Sequence, residues 1–137
     1  MMISTRGRYA LRVMIDLAEH ADEGYIPMKE VAERQGVSLK YLERIMPALS
    51  KHKLVEGVHG KGGGYCLGRR PEDYTVGEIL RLTDGELAPV ACLACGAKPC
   101  SRKDFCKTLW MWKRFFDMTN DYFDHITLAD FLDDNGE

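Results

Sequence analysis

Four of the five cysteines in this 137-residue chain, Cys92, Cys95, Cys100 and Cys106, fall within fifteen residues of one another. Thiolates are soft ligands, so a cluster of them suits an iron-sulfur centre or zinc and not a hard cation. Only Cys92 and Cys95 form a CxxC pair, and the intervals that follow are longer, which fits two-pair tetrahedral zinc less well than an iron-sulfur centre. Lys98, Arg102, Lys103 and Lys107 lie among them and would offset thiolate charge and favour deprotonation. Free thiols on a loop, or a dithiol redox switch, use the same residues and stay open at this level. Cys66 stands alone in the sequence and reads as a small buried apolar residue. No Ser/His/Asp constellation, phosphate loop or paired acid/base carboxylates accompany the cysteines, so no enzyme is expected.

A chain that is 45% hydrophobic and 29% charged can bury the core of one globular domain. Residues 1–8 carry two arginines and lack the apolar run of a signal peptide, and no segment reaches the roughly 18 apolar residues of a membrane span. The expectation is a cytoplasmic protein with no membrane partner, whose cysteines are therefore not a disulfide frame. The net charge of −2 conceals an asymmetry. Residues 1–70 hold 12 Lys/Arg against 8 Asp/Glu, and residues 71–137 hold 7 against 13. A basic half joined to an acidic half suits a polyanion-binding module with a separate sensing or pairing half.

The elements that would hold these groups follow from periodicity and capping residues. Thr5 can cap a helix through Tyr9, Val13, Met14 and Leu17, ended by Asp22-Glu23-Gly24. Pro27 opens a second, short helix that Gly36 ends in a left-handed turn. Ser38 immediately caps a third, with Leu39, Leu42, Ile45, Met46 and Leu49 on its apolar face and Pro47 expected to kink it. Two helices so joined are a helix-turn-helix, whose second member enters the major groove. Its polar residues are Ser38, Lys40, Tyr41, Glu43 and Arg44. Ser38 and Tyr41 can donate to phosphates, Lys40 and Arg44 can neutralise them, and Glu43 can accept from a cytosine amino group. Two short strands then flank His59-Gly60-Lys61-Gly62-Gly63-Gly64, a hairpin whose glycines let backbone amides approach a phosphate ridge while His59 and Lys61 contribute donors and charge. After a helix-turn-helix, such a hairpin is a wing.

Thr75-Val76-Gly77-Glu78 has the form of a capping box opening a further helix, closed by Asp84-Gly85. Beyond Cys106, Leu109, Trp112, Phe116, Phe123 and Ile126 recur at three- and four-residue steps, a heptad seam widened by Trp110, Phe115 and Tyr122. That much aromatic surface on a late helix predicts a homodimer interface, and a two-fold dimer would offer two recognition helices to a pseudo-palindromic double-stranded operator.

These residues together resemble the IscR/NsrR/CymR class of winged-helix repressors. The resemblance rests on Ser4-Thr5-Arg6-Gly7-Arg8-Tyr9-Ala10, Val37-Ser38-Leu39-Lys40-Tyr41-Leu42-Glu43, Gly60-Lys61-Gly62-Gly63-Gly64-Tyr65, Val76-Gly77-Glu78-Ile79 and Ile126-Thr127-Leu128-Ala129-Asp130. It implies a mostly α fold: a winged helix-turn-helix DNA-binding region over 1–84, a cysteine-rich sensor loop over 85–106, and a long dimerisation helix with a short C-terminal helix over 107–137. It also implies DNA contacts from Thr5, Arg6 and Arg8 beside those of the recognition helix and wing. The implied function is sequence-specific transcriptional regulation sensing redox state, iron-sulfur status, nitric oxide or iron. The implied cofactor is a 2Fe-2S cluster ahead of a 4Fe-4S one, with zinc or no metal as alternatives. IscR-like members use three loop cysteines and a histidine three residues past the last. Here that position is Leu109, and the extra cysteine can replace the histidine. CymR-like members lack the cysteine loop and act with a partner enzyme, which gives a second route of control through thiol redox, zinc or a partner protein. An iron-sulfur carrier or a thiol oxidoreductase would need neither the helix-turn-helix nor the wing.

Overall fold

The computed structural model describes residues 2–133, so the last four residues of the segment 107–137 lie outside it. Helix α1 runs over Thr5–Glu19, α2 over Met28–Gln35 and α3 over Leu39–Lys51. Strands β1 (Val55–Val58) and β2 (Gly64–Leu67) pair antiparallel, with Val55 opposite Leu67 and Val58 opposite Gly64. Helix α4 (Val76–Asp84) and the long α5 (Leu109–Asp124) complete the frame, with a short 3-10 turn at Leu128–Phe131. The chain is mostly helical, with a winged helix-turn-helix arrangement as the sequence predicts.

The caps decide where these helices begin. Ser38 has extended backbone, and its side chain accepts from the Tyr41 N–H at 3.3 Å. Gly36 ends α2 at φ 64°, a conformation that favours glycine, and the Val37 N–H closes back onto the Ala32 carbonyl at 3.1 Å. Three residues therefore reverse the chain between α2 and α3. The cap of α1 differs from the expectation: Ser4, not Thr5, accepts from the Gly7 N–H at 2.9 Å, while Thr5 accepts from Arg8 Nη2 at 3.0 Å. Thr75 caps α4 through the Glu78 N–H, but the Glu78 carboxylate turns to Arg69 at 2.7 Å and does not complete the box. A reciprocal capping box forms instead at Thr127 and Asp130. Helix α3 runs through Pro47 to Lys51, and Leu39, expected on its apolar face, is exposed at its first turn.

The main core is made by Val13, Met14 and Leu17 of α1, Val31 of α2, Leu42, Ile45, Met46 and Leu49 of α3, and Tyr74 ahead of α4. Each such side chain contributes about 1.5–3 kcal/mol on burial, so apolar packing carries the stability of the three-helix unit. A second, smaller cluster joins Val76, Leu80 and Leu87 to Ile3, Leu11, Phe123 and Ile126.

One charge is buried in the main unit. Asp16 is 2% exposed and takes a forked contact from Arg34, Nη2 to Oδ1 at 2.7 Å and Nε to Oδ2 at 3.1 Å, with Gln35 Nε2 at 2.9 Å. Burial pushes this carboxyl upward, but the hydrogen bonds from Arg34 and Gln35 outweigh it and hold the group below the ordinary aspartate value. A depressed folded-state pKa stabilises the fold above the unfolded value of about 3.9, and that stabilisation is lost as pH falls through the folded value. Arg34→Ala removes the forked guanidinium and leaves the buried carboxylate with only Gln35 and, 3.7 Å away, His20. A loss of about 2–4 kcal/mol is expected in urea unfolding at neutral pH, shrinking below about pH 4 as Asp16 protonates. An unchanged midpoint at neutral pH would mean that the pair orients the helices without stabilising them.

Candidate DNA-binding and cysteine sites

Three elements carry the residues expected to meet DNA. At the start of α3, Ser38, Lys40, Glu43 and Arg44 are exposed. Tyr41 is only half-exposed, because its ring packs edge-on to Tyr9 with centroids 5.3 Å apart, and Arg12 lies over the other tyrosine's ring at 5.2 Å. Its ring thus belongs to the seat of the recognition helix on α1. At the wing, the Gly63 N–H donates to the Gly60 carbonyl at 3.0 Å, and Gly62 sits at φ 80° in the third position of that turn. This leaves Lys61 exposed at the tip, between His59 and Gly60 on one side and Gly62 and Gly63 on the other. A side chain at Gly63 would collide with the Val58 carbonyl, so the close turn requires glycine there. At the N-terminus, Thr5, Arg6 and Arg8 are exposed on the first turns of α1. Among the described residues, none of Arg6, Arg8, Lys40, Arg44 and Lys61 makes a salt bridge within the chain.

The root of the wing is fixed by Tyr74, which is fully buried. Its hydroxyl accepts from the Gly68 and Arg69 N–H groups, both at 3.0 Å, and donates to the Leu54 carbonyl at 2.6 Å. The Arg69 guanidinium covers the same ring at 4.3 Å. The sheet gains an extra rung where Ile26 and Tyr65 exchange backbone hydrogen bonds, each 2.9 Å. In β2, Cys66 is half-buried opposite Glu56, and burial first, then the Glu56 charge, pushes its thiol up.

The other four cysteines sit between α4 and α5. Cys92, Cys100 and Cys106 line one cleft of about 260 Å³ with Leu93, Lys103, Leu109 and Lys113. Cys95 does not line it; its backbone N–H meets the Glu86 carboxylate, and its side chain is exposed. Thr108 Oγ1 lies 3.5 Å from Cys106 Sγ, and this contact, helped by backbone N–H groups, holds the Cys106 thiol below its ordinary value. Among the described residues no three Cys, His, Asp or Glu side chains stand at metal-ligating geometry. The donor set is nonetheless chemically suited to an iron-sulfur centre: three thiols around one cleft, two lysines on its wall and no histidine in the lining. The fourfold cysteine set expected from spacing is thus divided, three together and one apart.

Along α5 and just past its end the apolar residues divide into two stripes. Leu109 faces the cysteine cleft, Phe116 lies beside Leu93, and Phe123 and Ile126 pack on Val76, Leu80 and Leu87 of the same chain. Phe123 and Ile126, expected on a seam between chains, pack partly on the apolar end of α4 within their own chain and stay half-exposed. The stripe left in solvent is Met111, Phe115, Met118 and Tyr122, at heptad steps, flanked by Trp110. No residue of α5 is fully buried within the chain. The described residues contain no helix long and apolar enough to cross a membrane.

Residues 3–134 match the Rrf2 family, described as iron-dependent transcriptional regulators. The chain belongs to the Rrf2 family. The HTH-type transcriptional regulator IscR of Sodalis glossinidius (strain morsitans) is 37% identical over 132 residues, 96% of this chain and 79% of that protein. Among solved structures, CymR (YrzC), the global cysteine regulator of B. subtilis, superposes with a TM-score of 0.79 at 34% identity and 97% coverage of both chains. T. potens IscR superposes with a TM-score of 0.78 at 38% identity, covering 98% of this chain and 88% of that one. This Rrf2 protein is accordingly a DNA-binding transcriptional regulator and not an enzyme.

The wing geometry yields a measurable consequence. Lys61→Ala should weaken duplex binding and lower the slope of log K against log salt by about one, the value of a single phosphate contact. Tyr41→Phe should keep the Tyr9 packing and lose only a hydroxyl, whereas Tyr41→Ala should lower the melting temperature as well as affinity. Salt titrations by fluorescence anisotropy, with thermal melts, separate these outcomes. An unchanged slope for Lys61→Ala would remove the wing tip from the DNA contact.

Proposed function

We propose that this Rrf2 protein is a homodimeric, operator-specific regulator, a repressor in its simplest form, whose DNA affinity is set by an iron-sulfur cluster held by Cys92, Cys100 and Cys106. The observation that carries the reading is the shared cleft of those three thiols beside Lys103 and Lys113. A bound cluster would supply redox chemistry and reactivity toward oxygen or nitric oxide. Operator contacts are assigned to Ser38, Lys40, Tyr41, Glu43 and Arg44 of α3, to His59, Gly60, Lys61, Gly62 and Gly63 of the wing, and to Thr5, Arg6 and Arg8 of α1. Cys106 stands three residues before Leu109, the first residue of α5, and Leu109 lines the same cleft, so the thiols are placed to hold the start of α5 against the loop. Cys95 is left as a spare thiol, and the fourth ligand is assigned to a group other than it.

Dimer formation through α5 is supported by its exposed Met111, Phe115, Met118 and Tyr122 stripe. Charge along the helix favours one orientation: Lys113 and Arg114 lie in its first half, Asp117, Asp121 and Asp124 in its second. An antiparallel pair of α5 helices brings unlike charges together and a parallel pair brings like ones.

Two measurements test this reading. Anaerobically purified protein should contain iron and acid-labile sulfide, with a visible spectrum that is lost or strongly altered in Cys92→Ala, Cys100→Ala and Cys106→Ala and kept in Cys95→Ala. One zinc per chain without iron or sulfide would replace the sensor by a structural metal site. In sedimentation, Phe115→Asp should be monomeric and bind DNA more weakly, because a carboxylate would be buried unpaired at the interface. A dimer that survives this change would place the interface elsewhere.

A further inference from the structure

Two of the sites described above are tied to each other by a side chain that neither site uses. Asp84 is the last residue of α4 and the root of the cysteine loop, and Gly85 ends the helix there at φ 75°. Its carboxylate accepts from the Ser4 backbone N–H at Oδ2, 2.9 Å, and from the Ser4 hydroxyl at Oδ1. That same hydroxyl accepts from the Gly7 N–H as the cap of α1. A Cβ at Gly7 would stand 2.9 Å from Asp84 Oδ2 and 3.1 Å from Oδ1, so a side chain there would push the carboxylate aside from its present seat. Three residues further on, Leu87 is 3% exposed and shares the small apolar cluster with Ile3. The loop root is therefore fastened to the arm ahead of α1 by Asp84 to Ser4, and both contribute to one small apolar cluster, through Leu87 and Ile3. Between these anchors and the main core stand Thr5, Arg6 and Arg8, exposed on the turn that Ser4 caps.

We propose that Asp84 is a positioning residue: its carboxylate, bonded to both donors of Ser4, makes the cysteine-loop root and the Thr5–Arg8 turn move as one unit, so that DNA engagement by Arg6 and Arg8 and the state of the loop influence each other. This rests on the assignment of Arg6 and Arg8 to the operator contact, and it is independent of whether a cluster binds. By linkage, whatever the loop does to the arm, an operator held by the arm does to the loop. Ser4 presents two donors, and a carboxylate supplies two acceptors where an amide supplies one. Asp84→Asn therefore loosens the tie without removing a side chain.

The experiment is hydrogen exchange read by mass spectrometry on the full chain, with and without a duplex that the wild type selects from a random-sequence pool. In the wild type the duplex should slow exchange at 85–90 at least twofold. In Asp84→Asn that slowing should vanish, affinity should fall about 3- to 10-fold, and the salt slope should drop by about one to two as the Arg6 and Arg8 contacts weaken. Lys61→Ala should lose about one unit of slope yet keep the slowing at 85–90. Ser4→Ala, which deletes the hydroxyl and keeps the backbone N–H, should give a partial loss. A merely structural role would lower the melting temperature of Asp84→Asn and leave its salt slope and exchange response as in the wild type; either that result, or no slowing at 85–90 in the wild type, overturns the proposal. If Arg6→Ala and Arg8→Ala both leave the salt slope unchanged, the assignment of the arm to DNA has failed instead.

Discussion

A carboxylate cannot stay charged inside an apolar three-helix unit without a partner, and the position of Asp16 therefore dictates where α2 must lie. The partner group comes from Arg34, and Gln35 adds a third bond from the last residue of α2. Gly36 follows directly, so the left-handed residue that redirects the chain into α3 begins from a fixed point. In energy the apolar contacts of Val31, Leu42, Ile45, Met46 and Leu49 are the larger sum. They are non-directional, however, and would tolerate α2 sliding along α1. The forked Arg34 contact does not tolerate it, since both of its bonds need the same registration. The recognition helix inherits its orientation from that registration, and Tyr9 against Tyr41 reinforces it from the other end.

A similar division of labour holds at the wing. Strands of four residues with one pairing partner are marginal by themselves. The hairpin is held at its base by the Tyr74 hydroxyl, which gathers two N–H groups and one carbonyl from the chain segments that enter and leave it. Arg69, stacked on the Tyr74 ring, continues to Glu78 on α4, and one turn later Arg81 reaches Asp124 at 2.8 Å and Asn120 at 2.9 Å on α5. These ion pairs are partly exposed and each contributes at most about 1 kcal/mol, so their role is alignment more than stability. Gly77 is the steric counterpart: a side chain there would strike the Asp124 carboxylate and the Arg81 guanidinium, and its absence leaves room for that ion pair.

What the sequence made legible was whatever local spacing decides. Ser38 and Gly36 announce the turn of the helix-turn-helix because a cap bonds three residues away and a left-handed turn is set by one residue. The glycines about Lys61 announce the wing for the same reason. Choices made by distant residues were not legible. Ser4 and Thr5 are adjacent hydroxyls with equal capping chemistry, and the carboxylate that selects Ser4 lies eighty residues on. Leu109, Phe116, Phe123 and Ile126 form as regular a heptad stripe as Met111, Phe115, Met118 and Tyr122. Periodicity alone cannot say which faces the chain's own α4 and cysteine loop. Cys92 and Cys95 have the spacing of a ligand pair, yet the 3-10 turn at Ala91–Leu93 and the hold of Glu86 on the Cys95 N–H leave only Cys92 lining the cleft with Cys100 and Cys106.

The two apolar clusters differ in a way that bears on regulation. The main core buries side chains from α1, α2, α3 and β1 together, so moving any one of them opens voids against all the others, and it behaves as one rigid piece. The smaller cluster has only Val76, Leu80 and Leu87 buried, with Ile3, Leu11, Phe123 and Ile126 partly in solvent. Local opening costs least where few apolar contacts are buried. That cheaper junction is also where the arm ahead of α1, the root of the cysteine loop and the end of α5 meet. A change at the loop can shift the arm and the loop root together against the end of α5 without unfolding the unit that holds α3. The recognition helix then keeps its shape while the contacts around it are free to change. A movable element attached to the main core would instead have to work against nearly the whole stability of the domain.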